Sequence, residues 1–143
     1  MLTVVIPSFY SSKKIEERIT EIGKSVPIII IENSKDLDFK NKIEREFENV
    51  KVIIPNENLG FGKAVNIGIK EAKTKMVFLT QPDVKLIDNC IDKLFIALSN
   101  SLYNIVTSLN FSISLKIKIS SSLILSLGFV MLFVKKLLAA NVS

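Results

Sequence analysis

The side chains able to do chemistry in this chain are carboxylates, amides and hydroxyls. They gather in four short polar segments: Pro7-Ser8-Phe9-Tyr10, Glu32-Asn33-Ser34, Pro55-Asn56-Glu57-Asn58 and Gln81-Pro82-Asp83. Oxygen donors of this kind suit a hard divalent cation, which takes phosphate oxygen as well. No histidine occurs anywhere, which excludes a Ser-His-Asp or Cys-His nucleophile pair, an imidazole base and His-ligated zinc. Acid, base and metal work falls to carboxylates. Cys90 has no second cysteine to pair with. Met1-Leu2-Thr3 runs directly into a strand-like segment with no signal-peptide pattern. A reducing cytoplasmic compartment is the expectation.

These segments need a frame that brings them to one place. Four apolar runs, at Leu2–Ile6, Val26–Ile31, Val50–Ile54 and Met76–Leu79, are rich in Val and Ile and continuous rather than alternating. They read as strands buried on both faces. Between and after them lie stretches with helical spacing: Ile15, Ile19 and Ile22; Phe39, Ile43 and Phe47; Phe61, Val65, Ile69 and Ala72; and Ile87, Ile91, Leu94, Phe95 and Leu98. The alternation predicts an α/β fold, a mostly parallel sheet flanked by helices over residues 1–98. Ligands of such sheets bind beyond the carboxyl ends of the strands, where all four polar segments fall. Pro, Asn and Ser are also ordinary turn formers, so the convergence of four segments, two with carboxylates, carries the argument rather than any one.

Familiar phosphate-binding signatures do not fit. Gly60-Phe61-Gly62 lacks the third glycine of a dinucleotide fingerprint, and Gly62-Lys63 is followed by Ala64 where a P-loop needs Ser or Thr. The net charge of +5 points to no nucleic acid either. Residues 1–92 hold 14 basic and 14 acidic residues, and the excess is Lys93, Lys116, Lys118, Lys135 and Lys136, without interleaved aromatics.

In order and spacing the segments resemble family 2 glycosyltransferases of the GT-A (Rossmann-like) fold, in particular the rhamnosyltransferase-like branch. The first strand ends in a Pro-Ser-aromatic turn (Pro7-Ser8-Phe9), and the second in an acidic-Asn-Ser turn (Glu32-Asn33-Ser34). An Asn-x-Asn-x-Gly block follows (Asn56, Asn58, Gly60, Phe61, Gly62, Ala64, Asn66, Gly68). An Asn-Pro-Asp-Val-like signature closes the fourth strand (Gln81-Pro82-Asp83-Val84).

The resemblance implies a nucleotide-sugar donor (a dTDP-, UDP- or GDP-sugar) and a glycan or lipid-linked acceptor, as in polysaccharide biosynthesis. It implies transfer to an acceptor hydroxyl with inversion, assisted by Mg2+ or Mn2+. By the same resemblance Pro7, Ser8 and Phe9 form the base-binding wall, Glu32 and Asn33 meet base or ribose, and Asn58 and Gly60 lie where helix amides suit an anion. Gln81 and Asp83 lie at the diphosphate, with Asp83 as the metal ligand. Plainer explanations fit several of these residues: Phe9 as a staple on the first helix, Glu32 as a solvated loop carboxylate, Asn58 as a helix cap, Asp83 as a turn residue after Pro82. Asn66 is harder to dismiss, because a mid-helix Asn is unfavourable and calls for a partner. Gln81 stands where the branch has Asn and other members Asp, leaving one carboxylate instead of two.

Residues 99–143 are of a different character, an apolar tail with ten Ser and no acid. With no Asp or Glu after Asp92, the acidic base that the family places downstream has no candidate, and the catalytic residue is unassigned. Alternation at Ile113, Leu115, Ile117 and Ile119 predicts a strand. The uncharged run 119–134 would extend about 24 Å as a helix, short of a hydrocarbon core of about 30 Å. Three readings stand: a truncated or out-of-frame remnant, a membrane anchor through residues 119–138 at the inner face, or a packed continuation of the domain. The first leaves a donor-binding half of a glycosyltransferase. The second leaves a non-catalytic, membrane-associated binding module.

Overall fold

The computed structural model describes residues 1–87 and 89–96, together with the backbone of 124–127 and 130–134. The elements run β1 (Leu2–Ser8), α1 (Ser12–Ile22), β2 (Ile28–Glu32), α2 (Leu37–Glu46), β3 (Val50–Ile53), α3 (Gly60–Glu71), β4 (Met76–Leu79), β5 (Ile124–Leu127) and β6 (Val130–Val134). Residues 90–96 are also helical. The strands form one sheet in the order β3-β2-β1-β4-β6-β5. The first four are parallel, as the expected α/β fold requires.

The continuous apolar runs are explained by burial on both faces. Alternate residues of β1 point to opposite sides: Leu2, Val4 and Ile6 join Ile15, Ile19, Ile22, Phe39 and Ile43 of α1 and α2. Val5 packs on the other side with Ala64, Val65 and Ala72 of α3. Each fully buried aliphatic side chain contributes about 1.5–3 kcal/mol relative to exposure, so β1 is the mechanical centre of the sheet. Its carboxyl end therefore offers a rigid place to mount a site.

Two of the expected helical stripes are shifted. Phe61 is half exposed at the start of α3, and the buried face of that helix is Ala64, Val65, Gly68 and Ala72. The reason is closeness: a Cβ on Gly68 would lie 2.3 Å from Val5 Cγ1, so α3 sits nearer the sheet than large side chains allow. In the last stripe Ile91 is buried and Leu94 and Phe95 pack on the core, but Ile87 lies before the helix and is exposed. Leu98 lies outside the described residues.

The tail departs from the helical reading. Where described, the run 119–134 consists of strands. β6 pairs antiparallel with β4 (Met76 with Val134, Leu79 with Met131), and β5 pairs antiparallel with β6. Extended chain there takes up the backbone groups that β4 presents on the side away from β1. No helix among the described residues is long and apolar enough to cross a membrane. The strand expected around residues 113–119 lies outside the described residues, as does most of the remaining tail.

The opposite edge is finished differently. Among the described residues β3 has β2 as its one neighbour, and two side chains of α2 reach its backbone. Glu44 Oε1 accepts the Val52 amide at 2.7 Å and Lys40 Nζ donates to the Val52 carbonyl at 2.5 Å, while Lys40 and Glu44 pair at 2.8 Å.

Candidate functional site

The parallel register brings the ends of β1 and β2 side by side, with Ser8 opposite Glu32. The Ser8 hydroxyl donates to Glu32 Oε2 at 2.5 Å. The other oxygen of Glu32 accepts the Ser34 amide at 2.8 Å and also the Ser34 hydroxyl. Glu32 has no exposed surface, so the solvated-carboxylate explanation does not hold. A buried carboxylate without a cation is tolerable because neutral donors engage both oxygens. In this arrangement the two serines engage both of its oxygens.

Asn33 continues the cluster. Its amide donates to the Ser8 carbonyl at 2.9 Å and its Oδ1 accepts the Leu59 amide at 3.3 Å. Asn58 Oδ1 accepts the Gly60 amide at 2.9 Å. Two backbone amides expected to be open at the entrance of α3 are thus already engaged. The N-cap residue of α3, Leu59, makes no side-chain capping bond, and no acid lies in the first turn. Gly60 is required by its φ of 68°, whereas a Cβ on Gly62 would meet nothing within 4 Å. Open space above a helical glycine that packing does not demand leaves room for a group approaching the backbone.

On the other side of the β1 end, Phe9 and Tyr10 are exposed and meet edge-on, ring centroids 4.5 Å apart. Phe9 is 51% exposed, so it does not serve as a buried staple for α1. Tyr10 holds a left-handed φ of 49°, and its amide donates to Ser34 Oγ at 3.2 Å, tying the first turn to the second. Asp36 caps α2 by accepting the Phe39 amide at 2.8 Å and also takes the Ser12 hydroxyl at 3.0 Å. Tyr10, Ser12, Lys13, Ser34 and Asp36 line an open cleft of about 480 Å³. Tyr10 and Ser34 belong to the polar segments of the sequence but carry no assigned role there, and Lys13 is not among them. The Tyr10–Ser34 pairing joins residues 24 apart in the chain, and the aromatic doublet Phe9-Tyr10 was the one available signal.

β4 flanks β1 on the side opposite β2, so Gln81 and Asp83 reach the same rim from the other direction. The Val84 amide donates to the Gln81 carbonyl at 3.1 Å, closing a turn with Pro82 and Asp83 at its centre. Asp83 is exposed. Among the described residues no group of three or more His, Cys, Asp or Glu could hold a metal alone. Asp83 and the Gln81 amide oxygen are hard donors fitted to a divalent cation whose other ligands are phosphate oxygens and water. Asn66 is exposed on α3, one turn after Gly62. The site thus joins Pro7, Ser8, Phe9, Glu32, Asn33, Asn58 and Gly60 around the β1–β2 end, with Gln81 and Asp83 after β4 on the other side of β1 and Asn66 on the exposed side of α3.

Solved structures share this fold. TarS 1–349 from S. aureus aligns over 69% of this chain and 32% of its own, with 21% identity and a TM-score of 0.59. Mannosyltransferase PcManGT from Pyrobaculum calidifontis, in complex with GDP-Man and Mn2+, aligns over 57% of this chain and 27% of its own, with 17% identity and a TM-score of 0.50. The chain therefore spans about a third or less of the length of these proteins. A comparison with curated protein sequences returned no match. The family profile described as "Glycosyl transferase family 2" matches residues 3–125, reaching beyond the motifs at 1–98. With that match over most of its length and a GT-A-like sheet beneath the matched turns, the chain belongs to glycosyl transferase family 2.

Proposed function

We propose that this chain binds the nucleoside diphosphate of a sugar donor across the rim formed by β1, β2 and β4, for transfer of the sugar to an acceptor hydroxyl with inversion. The observation that carries the reading is the buried Glu32 carboxylate, held by Ser8 and Ser34 beside an exposed aromatic pair, with Asp83 in the turn after β4, the strand on the other side of β1. Phe9 and Tyr10 give a nucleobase a surface to pack on. Glu32 orients the Ser34 hydroxyl, and Ser34 and Asn33 supply the polar contacts of the ribose.

The diphosphate extends toward the first turn of α3, where Gly62 leaves space and the helix dipole favours negative charge. A divalent cation, held by Asp83 with the Gln81 amide oxygen, would supply charge neutralisation for the departing diphosphate. One similar fold, PcManGT, is described with GDP-Man and Mn2+, which supports this class of donor and metal. The base that takes the acceptor proton, which the family resemblance places downstream, is assigned to no residue here, as no Asp or Glu follows Asp92.

Calorimetry with UDP, GDP and dTDP in the presence of Mn2+ tests the reading. Binding of at least one nucleotide is expected, with the Mn2+-dependent part abolished by Asp83→Ala. No binding to any of the three, or binding that Asp83→Ala leaves unchanged, refutes it.

A further inference from the structure

We infer that Glu21 of α1, held by the buried Arg18, is a positioning residue for Asp83. This rests on the reading of Asp83 as the carboxylate that holds the cation. Arg18 is 6% exposed. It sits on the face of α1 that also carries Ile15, Ile19 and Ile22, where an aliphatic side chain would meet the needs of the core. Burying a guanidinium costs several kcal/mol unless it is paired, so its presence there calls for a reason beyond packing. Arg18 Nη2 donates to Glu21 Oε1 at 2.9 Å and to Glu17 Oε2 at 3.3 Å.

The second oxygen of Glu21 does something else. Glu21 Oε2 accepts the backbone amide of Leu86 at 2.9 Å, joining positions 65 residues apart. Leu86 lies three residues after Asp83. On the other flank, the Thr80 amide donates to the Val5 carbonyl at 3.1 Å and so ties the end of β4 to β1. Asp83 itself is exposed in the turn between these two anchors. Its place is set by the backbone on either side, and Glu21 supplies the downstream anchor. Arg18 fixes the rotamer of Glu21 by occupying one oxygen while the other faces the loop. The bond to Leu86 is charge-assisted and lies at the surface.

The experiment is calorimetric titration of the full chain with UDP and GDP, each in Mn2+ and in EDTA, with hydrogen exchange at the Leu86 amide measured in parallel. Glu21→Ala is expected to weaken the Mn2+-dependent part of nucleotide affinity by up to about tenfold, the low end of what loss of a direct partner of a metal ligand costs, since Glu21 acts on Asp83 through the backbone at Leu86. Affinity in EDTA should stay unchanged, and exchange at Leu86 should quicken. Asp83→Ala removes the Mn2+-dependent part altogether. A Glu21→Ala chain that keeps the wild-type Mn2+ effect while Asp83→Ala loses it overturns the positioning role alone. Equal weakening in Mn2+ and EDTA also overturns it, since that is the mark of a general structural defect. A wild-type chain with no Mn2+ effect, or an Asp83→Ala chain that retains it, overturns the reading of Asp83 and the inference with it. If Glu21→Ala fails to fold, Glu21→Gln decides. It keeps an oxygen for Leu86 without the charge, and its Mn2+ effect should fall between those of wild type and Asp83→Ala; no change refutes the role.

Discussion

Replacing Gly68 with Ala tests the closest approach in the fold. The added Cβ would lie 2.3 Å from Val5 Cγ1 and 3.2 Å from Cγ2, against an optimum of about 3.5–4.0 Å for carbon pairs. Val5 is fully buried and its strand is paired on both sides, with β2 and β4, so β1 cannot yield. α3 must lift instead, loosening Ala64, Val65 and Ala72 from the sheet. Overpacking of this kind costs about 1–3 kcal/mol, and the better helix propensity of Ala returns about 1 kcal/mol. At a contact of 2.3 Å the cost lies in the upper part of that range, about 2–3 kcal/mol, so the net expectation is a loss of about 1–2 kcal/mol, a factor of roughly 5–30 in the folding equilibrium.

Urea unfolding followed by far-ultraviolet circular dichroism measures this change; the chain has no Trp for fluorescence. Val5→Ala completes the cycle. It removes both γ carbons, at a cost of about 2 kcal/mol from lost methyl burial and the cavity left behind. It leaves the residue-5 Cβ 3.4 Å from a Cβ at position 68, an ordinary contact. The double variant should therefore be more stable than the sum of the single losses by about 1 kcal/mol or more. A Gly68→Ala chain as stable as wild type, or strictly additive losses, would refute the argument that Val5 dictates glycine at position 68.

Two further outcomes follow from hydrogen bonds already described. Ser8→Ala takes one donor from the buried Glu32 carboxylate and should lower stability by about 1.5–3 kcal/mol, read as a shift of the urea midpoint with an unchanged slope. Burial raises the affinity of the Glu44 carboxyl for a proton, but its bonds with Lys40 and the Val52 amide outweigh this and hold its pKa below the ordinary value of 4.5. A carboxyl with a depressed folded pKa stabilises above its unfolded pKa and loses that contribution as pH falls through the folded value. Glu44→Gln should accordingly be less stable than wild type near neutral pH, with the difference closing as pH drops below about 4.5. A difference constant down to acid pH would show that the charge on Glu44 is irrelevant.

The strands and the rim were legible because continuous Val and Ile runs have few other uses, and the polar residues that end them fall together once the sheet is parallel. The stripe on α3 was misread for a physical reason. Counting large apolar residues finds Phe61, whereas a helix pressed against a central strand is marked by small ones. Ala64, Gly68 and Ala72, at four-residue spacing, were the available signal. Glu32 was recognised by its place in a motif, but its complete burial was not, because the donors that make burial tolerable, Ser8 and Ser34, lie on two different turns. The link from Glu21 to Leu86 was beyond sequence reasoning, as no local pattern ties a helix carboxylate to a backbone amide 65 residues away.

The Lys40–Glu44 pair at Val52 gives the sheet a direction. The residues concerned lie within 13 positions of one another, so that margin can be sealed by local contacts as soon as β3 docks. A foreign strand arriving there finds the Val52 donor and acceptor already spoken for, and a pair of opposite charges in its path. Recruitment of later segments is left to the flank of β4, which the antiparallel β6 occupies. The sheet therefore behaves as a one-sided template during synthesis: it extends from β4 outward, and its β3 margin resists the lateral addition that turns incompletely folded α/β chains into aggregates.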